Sequence, residues 1–318
     1  MTAHLHDHDH PNDHGHHHGG HDHGGHGHHH HHGSPDDPRF GLAIALNAVI
    51  VLIEAGAGVF AHSTALIADA GHNLSDVLGL VLAGGAMWLA RRPARGQRTY
   101  GFGKATVLAA LANGVVLMFV SGAIMLEAVH RLLRPEPVQS NIVMLIAGAG
   151  VVINTATALL FVGGRRGDVN VRGAFLHMAG DALVSVGVIV SAGLIALTHW
   201  SWLDPLTSIV IVAVIVAGTW GLLREAADMA LDAAPAGADV PRIHEFLSQA
   251  AGVTEVHDLH VWAMSTTEMA LTAHLVRPGD DGGDQFRGAL AEALERRFGV
   301  RHATLQIERA RGEHCPVC

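Results

Sequence analysis

The chain is poor in charged residues, aromatic residues and cysteine. Charged side chains make up 15% of its 318 residues and hydrophobic ones 49%, which is typical of a membrane protein with soluble ends rather than of a soluble domain. A formal charge of −9 without a concentrated basic face argues against nucleic acid as a partner. The two cysteines, Cys315 and Cys318, exclude a disulfide framework, and their C-x-x-C spacing suits metal binding or a redox pair.

A nucleotide-binding loop and a signal peptide are also missing. No G-x-x-x-x-G-K-[ST] string is present and no soluble part is large enough to hydrolyse ATP, so we expect no ATP-driven process. The first 30 residues contain no apolar segment of the kind that a signal peptide needs.

Residues 1–38 consist mainly of His, Asp, Gly, Asn and Pro and hold sixteen of the 27 histidines. This composition predicts a disordered tail. The run from His28 to His32 resembles an expression tag, but the alternation of His with Asp and Gly between His4 and His26 favours a native metal-collecting segment. Such a tail raises the local metal concentration without forming a rigid, selective site.

Six apolar stretches follow, each near the ~20 residues that a helix needs to cross a bilayer. They lie at about 40–61, 64–90, 105–133, 141–162, 174–198 and 203–223. Arginines are concentrated in the loops after the second and fourth stretches, so the positive-inside rule predicts that both termini are cytoplasmic. The high content of Ala, Gly and Arg favours a bacterial inner membrane as the location.

From Pro235 onward the pattern changes to that of a small soluble α+β domain. Helices are expected at 239–250 and 284–298, and strands at 253–263, 268–277 and 302–309. One open sheet of this size buries little surface unless it pairs with a second copy, so we expect a homodimer.

The predicted fold class is therefore an α-helical polytopic membrane protein with six transmembrane helices and a C-terminal cytoplasmic ferredoxin-like domain. The expected division is a His-rich tail at 1–38, a transmembrane domain at 39–228 and a cytoplasmic domain at 235–318.

Two motifs place a histidine four residues before a carboxylate inside apolar stretches: His72-Asn-Leu-Ser-Asp76 and His177-Met-Ala-Gly-Asp181. On a helix, positions i and i+4 share a face, so each pair can offer a nitrogen and an oxygen to one point. Ionisable groups at membrane depth are costly and usually mark an ion path. The two pairs together predict a tetrahedral His₂Asp₂ site for a transported divalent metal.

Zn²⁺ is the metal that this ligand set favours, since two histidines argue against Ca²⁺ and Mg²⁺. Mn²⁺, Co²⁺, Ni²⁺ and Cd²⁺ remain open. His and Asp bind metal only when they are deprotonated, so protons compete with the metal for the site. This competition predicts metal/proton exchange as the driving reaction of a secondary transporter.

The stretch from His62 to Asp76 resembles the second span of the cation diffusion facilitator family, and particularly its zinc-transporting branch. Residues 173–187 resemble the fifth span of that family, and residues 100–113 the start of the third. The segment His257-Asp-Leu-His260-Val-Trp262 adds to the likeness. The resemblance implies a homodimeric metal/proton antiporter that exports Zn²⁺ by alternating access and is not an enzyme. It also implies that the two His/Asp pairs are the transport ligands.

The same resemblance implies a regulatory metal site at the dimer interface, formed by His257, His274 and Glu308. Terminal C-x-x-C pairs contribute there in animal members, which would add Cys315 and Cys318 as ligands. The alternative for the cysteines is a frayed, reactive chain end. The tail lacks the His-Cys-His segment of those animal members, so the ligand set stays open. His260 is expected to be an exposed strand residue.

Other polar residues of the apolar stretches could line the path or bond one helix to another, and bonding is the favoured interpretation for the asparagines. They are Asn47, Glu54, Asp69, Asn113 and Asn154. Three further histidines, His62, His130 and His199, are expected at the membrane boundary.

Three other functions compete with metal export as interpretations of these motifs. His72-Asn-Leu-Ser-Asp76 also fits the H-N-x-x-D motif of ZIP-type importers, but the second motif of those proteins, H-E-x-x-H-E, is absent. An intramembrane metalloenzyme would need a Glu base beside the metal and an open coordination position. A metal-sensing receptor would bind Zn²⁺ at the membrane site but move none.

Overall fold

The structure, a computed structural model, describes residues 38–161, 169–279 and 283–311. Its first part consists of six long helices. They are α1 (Pro38–Phe60), α2 (Thr64–Ala90), α3 (Lys104–Leu133), α4 (Ser140–Phe161), α5 (Val169–Thr198) and α6 (Leu203–Ala230). Within the described residues, five of the six contain a segment that is long and apolar enough to cross a membrane, and the sixth, α1, contributes the shorter apolar segment Ala45–Phe60.

The helix bounds follow the predicted stretches except at two ends. α5 begins at Val169, five residues before the predicted start, and α6 continues to Ala230, seven residues beyond the predicted end. The last two turns of α6 carry Arg224, Glu225 and Asp228, which are compatible with a helix but not with lipid. Apolar length therefore predicts the membrane-spanning part of a helix and misses its polar extension.

Small side chains let the helices approach closely around the first half of α2. The core there contains Ala65, Leu66 and Ala68 of α2, packed against apolar residues of α4, α5 and α6. Large apolar side chains such as Leu52, Phe119 and Leu183 are exposed instead, and in a bilayer they would contact lipid. α2 packs on α1, α3 and α6, and it touches α5 over only a short stretch.

The C-terminal part is a small α+β unit with the predicted α-β-β-α-β order. Its elements are α7 (Val240–Ser248), β1 (Glu255–Ala263), β2 (Met269–Val276), α8 (Asp284–Phe298) and β3 (Val300–Glu308). The sheet order is β1-β2-β3, with β1 antiparallel and β3 parallel to β2. Buried Ile243, Leu247 and Leu294 of the helices pack on Leu271 and Leu275 of β2. The predicted fold class is confirmed.

α8 ends at a glycine that forms the turn into the last strand. Gly299 has a φ of 71°, which a residue with a Cβ adopts only under strain, and its N–H donates to the carbonyl of Glu295 at 2.9 Å. The turn lets β3 begin at Val300, two residues before the predicted start.

The two parts meet where α3 begins. The Lys104 ammonium lies 2.5 Å from Asp232 Oδ1 and donates to the carbonyl of Met229 at 2.9 Å. The N–H of Thr266, in the turn between β1 and β2, donates to Thr106 Oγ1 at 3.1 Å. α3 therefore contacts both the end of α6 and the β1–β2 turn of the C-terminal unit.

Candidate metal centres

α2 and α5 bring the two predicted His/Asp pairs together inside the helical bundle. His72 Nε2 lies 3.3 Å from Asp181 Oδ1, and His177 Nε2 lies 3.2 Å from Asp76 Oδ2. Within each pair the nitrogen and the carboxylate oxygen are 3.8 and 3.7 Å apart. Each histidine is therefore closer to the carboxylate of the other helix than to the one on its own.

Three of the four predicted ligands form one compact group, and His177 contacts that group through Asp76. Donor atoms of His72, Asp76 and Asp181 lie within 4.8 Å of one another, and the rings of His72 and His177 are 6.1 Å apart. His72 Nδ1 and Asp181 Oδ2 are buried and have no hydrogen-bond partner among the described residues. Two imidazoles and two carboxylates at this spacing form a donor set that suits a tetrahedral divalent cation.

A second group of buried polar residues lies beside these pairs. Asn73 Nδ2 donates to Glu54 Oε2 at 3.1 Å, and Ser185 Oγ donates to Asp69 Oδ2 at 2.9 Å. These bonds link α2 to α1 and to α5. Within the described ranges, no Lys or Arg forms an ion pair with Glu54 or Asp69, although both are fully buried.

The remaining polar residues singled out above differ in their surroundings. Asn47 Nδ2 lies 3.7 Å from the sulfur of Met178, a contact between α1 and α5. Both amide atoms of Asn154 are buried without a hydrogen-bond partner in the described part of the chain, so the favoured bonding interpretation is wrong there. His62, His130 and His199 are exposed at helix ends, as expected for boundary residues.

In the C-terminal unit, three predicted ligands converge from three strands. His257 on β1 pairs with His274 on β2, and Glu308 closes β3 beside them. His257 Nε2 lies 3.2 Å from Glu308 Oε2, and His274 Nδ1 lies 3.0 Å from Glu308 Oε1. Donor atoms of all three lie within 4.8 Å of one another, which is close enough to hold one metal ion.

Sequence reasoning missed Asp258, which extends this cluster. Asp258 Oδ1 lies 2.9 Å from His260 Nε2 and its Oδ2 lies 3.6 Å from His274 Nε2. Asp258 has a φ of 50° and stands at an irregularity of the β1–β2 register between His257 and His260. The sequence signal for Asp258 is the imperfect alternation of apolar and polar residues along β1, because a bulge turns one residue out of the pleat. His260 is exposed, as expected.

Both carboxylates of the cluster are more acidic than usual. A hydrogen bond with His260 lowers the pKa of Asp258, and the nearby charges of His260, His274 and His257 lower it further. Burial raises the pKa of Glu308, but hydrogen bonds from Gln306 and His257 outweigh it, so the pKa lies below its ordinary value. Both carboxylates are therefore ionised at neutral pH, which is the form that a metal ligand must have.

The other predicted ligands, Cys315 and Cys318, lie outside the described residues, as does the histidine-rich segment before Pro38.

Two family profiles match nearly all of the described chain. The transmembrane domain of the cation efflux family matches residues 41–229, and the cytoplasmic domain of cation efflux proteins, the ZT_dimer domain, matches residues 235–310. The second match indicates that the chain dimerises through its C-terminal unit.

Curated relatives agree with both profiles. The cation efflux system protein CzcD of Alcaligenes sp. is 33% identical over 270 residues, covering 85% of each chain. The zinc transporter ZitB of Escherichia coli is 33% identical over 85% of this chain and 87% of its own. A protein of Bacillus subtilis named cadmium, cobalt and zinc/H(+)-K(+) antiporter is 32% identical over 83% and 86%. The chain therefore belongs to the cation efflux, or cation diffusion facilitator, family of multi-pass membrane transporters, on the branch that includes zinc transporters.

Proposed function

We propose that this protein is a Zn²⁺/H⁺ antiporter that exports the metal from the cytoplasm by alternating access. The observation that carries the proposal is the convergence of His72 and Asp76 of α2 with His177 and Asp181 of α5 in the interior of the bundle. Relatives named for zinc, cadmium and cobalt support a divalent transition metal as the cargo, and the mixed nitrogen and oxygen ligands favour Zn²⁺ among them.

The cross-helix distances support protons as the counter-ions. When the metal leaves, each histidine can take up a proton and pair with the carboxylate of the opposite helix, at the 3.2 and 3.3 Å separations described above. A new metal ion must displace those protons, because only deprotonated ligands bind it. Metal and protons therefore occupy the same site in turn, which is the condition for exchange in opposite directions.

The proposal includes the location and the division of the chain. Arginines after α2 support a cytoplasmic position for that loop, and hence for both termini, in a bacterial inner membrane. The tail at 1–38 would gather metal, the helices at 39–228 would move it and the C-terminal unit at 235–318 would sense it as a homodimer.

We propose that His257, His274 and Glu308 hold a regulatory Zn²⁺ ion, with Cys315 and Cys318 as further ligands. The donor set fits such an ion, since two imidazoles and the Glu308 carboxylate lie within 4.8 Å of one another, and Asp258 places a second carboxylate 3.6 Å from His274. Metal bound there would draw the two subunits together and so link the cytoplasmic metal level to transport.

The test of the transport proposal is Zn²⁺ flux into proteoliposomes under an imposed pH gradient. We expect flux that follows the gradient in the wild type and is lost in His177→Ala, because one of the four ligands is gone. His130→Ala, an exposed histidine at the end of α3, should keep wild-type flux. Flux indifferent to the pH gradient would indicate a channel, and Zn²⁺ binding without flux would indicate a receptor.

The regulatory site has its own test. We expect Zn²⁺ to tighten the wild-type dimer in analytical ultracentrifugation and to leave the His274→Ala/Glu308→Ala variant unaffected. His244→Ala, whose side chain is exposed on α7, should respond as the wild type does. If the double variant still tightens with Zn²⁺ and its transport keeps the same metal dependence, the regulatory proposal is wrong.

A further inference from the structure

The first turn of α6 contains a buried carboxylate that binds the beginning of α2. Asp204 is 2% exposed. Its Oδ1 accepts from Ser63 Oγ at 2.5 Å, and its Oδ2 accepts from Thr64 N at 2.6 Å, from Thr64 Oγ1 at 2.8 Å and from Ala65 N at 3.3 Å. Throughout the part of the chain that the structure describes, no cationic side chain forms an ion pair with Asp204.

Four hydrogen bonds and the positive end of a helix replace a cationic partner for this carboxylate. The amides of Thr64 and Ala65 are among the first N–H groups of α2, which have no partner within their own helix. Stability alone does not require such a contact, because well-packed apolar residues usually stabilise a buried position at least as well. In some proteins a directional polar contact instead specifies how two elements sit against each other.

The same turn of α6 also contacts α5. Thr207 Oγ1 lies 2.8 Å from Ser191 Oγ, and Ser191 is buried on α5. Asp204 and Thr207 are three residues apart, so one turn of α6 binds the helix that carries His72 and Asp76 and also the helix that carries His177 and Asp181. Direct contact between α2 and α5 is confined to a short stretch that includes the bond from Ser185 to Asp69, and α6 provides a second link between the two helices.

The position of α2 decides whether its ligands reach those of α5. His72 lies eight residues, about two turns, beyond Thr64, and over that distance an α-helix transmits a rotation without much loss. A rotation of ~10° moves an atom ~7 Å from the helix axis by ~1 Å. Metal sites require distances within about 0.2 Å of the ideal, so a rotation of this size would disrupt a shared site.

We propose that Asp204, together with Thr207, is a positioning residue that holds α2 and α5 at the rotation and separation at which their two His/Asp pairs share one metal ion. The inference rests on the proposed function of those pairs as the transport site. Asp204 touches no metal in this role and acts only through the first turn of α2.

Three variants test the proposal, all in a His257→Ala/His274→Ala/Glu308→Ala background that removes the described ligands of the cytoplasmic site. Each variant is compared with that parent, so that metal held by the tail at 1–38 is common to both. Asp204→Ala removes all four hydrogen bonds. Asp204→Asn can keep them, since its amide oxygen can accept from Thr64 while its amide N–H₂ donates to Ser63 Oγ. Ser208→Ala is the matched control, because Ser208 is buried one turn further along α6 and its hydroxyl has no hydrogen-bond partner among the described residues.

Zn²⁺ affinity and the visible spectrum of bound Co²⁺ are measured on purified protein. We expect Asp204→Ala to lose ~10–100-fold in Zn²⁺ affinity, the range seen when groups that orient metal ligands are removed, and to lose the tetrahedral Co²⁺ spectrum. Asp204→Asn should recover most of both, and Ser208→Ala should match the parent.

Two results would overturn the inference. One is a folded Asp204→Ala protein with parental affinity and spectrum; the other is an Asp204→Asn protein as defective as the alanine variant, which would show that the charge matters rather than the hydrogen bonds. If Asp204→Ala does not fold, Thr207→Val tests the α5 contact by the same measurements. A failure of the transport-site proposal would give a different result. In that case, adding His177→Ala to the parent protein would leave its Co²⁺ binding unchanged.

Discussion

At the residue scale, the membrane site is built from contacts between helices rather than within them. Each i,i+4 pair supplies one nitrogen and one oxygen, yet the shorter distances join His72 to Asp181 and His177 to Asp76. A small displacement of α2 against α5 therefore changes both cross-helix contacts at once and leaves the i,i+4 pairs intact. If the protein works by the alternating access proposed above, a modest helix movement would be enough to open or close this site.

Glu308 contributes to the pH dependence of the metal-free C-terminal unit, together with Asp258. Its folded-state pKa is lower than its ordinary value, so the ionised form stabilises the folded unit at pH above about 4.3, and this contribution is lost as the pH falls through the lowered pKa. We expect Glu308→Gln to abolish that part of the acid dependence, and Gln306→Ala, which removes one hydrogen bond to the carboxylate, to reduce it. Urea unfolding of the full chain with a chelator, at a series of pH values, measures how the free energy of unfolding changes with pH. An unchanged slope in Glu308→Gln would contradict the assignment.

At the scale of elements, one glycine allows α4 to approach α1 and α5. A Cβ added at Gly150 would lie 2.7 Å from Glu54 Oε1 and 3.4 Å from Ser185 Oγ. Glu54 is fully buried and its other oxygen is bound by Asn73, so it can yield little space. We expect Gly150→Ala to destabilise the bundle by about 1–3 kcal/mol, as overpacking does.

Gly148 on the same helix provides the control for this prediction. A Cβ there would meet no atom within 4 Å, so Gly148→Ala should leave the thermal midpoint in detergent unchanged or slightly raised. Equal midpoints for the two alanine variants would show that the approach of α4 to Glu54 is not a tight contact.

Elements are more predictable from the amino-acid sequence than the contacts between them. Apolar length and i,i+4 spacing are local properties, so the spans and the two His/Asp pairs could be identified from the order of residues alone. Asp204 could not, because its partners Ser63 and Thr64 lie about 140 residues away along the chain and only packing brings them together. Asp258 was missed for a related reason: a bulge, not the alternation of the strand, directs its side chain toward His274.

At the scale of the whole molecule, the membrane and C-terminal parts are in contact at the beginning of α3. Thr106 and the turn between β1 and β2 are hydrogen-bonded there, and the same two strands carry His257 and His274. α3 in turn packs on α2, which carries His72 and Asp76. A shift of the sheet on metal binding would therefore reach α2 through one intervening helix.

Gly103 is the position at which this connection can be broken. A Cβ there would lie 2.6 Å from the carbonyl oxygen of Met264, a backbone atom that cannot rotate away, so Gly103→Ala must push the β1–β2 turn off α3 and weaken the bond from Thr266 to Thr106. We expect the variant to bind Zn²⁺ at both sites with near wild-type affinity, while its flux no longer responds to metal at the cytoplasmic site. Gly122→Ala, where a Cβ would meet nothing within 4 Å, is the matched change on the same helix and should respond normally. A Gly103→Ala protein whose flux still follows cytoplasmic Zn²⁺ would mean that the signal bypasses this contact.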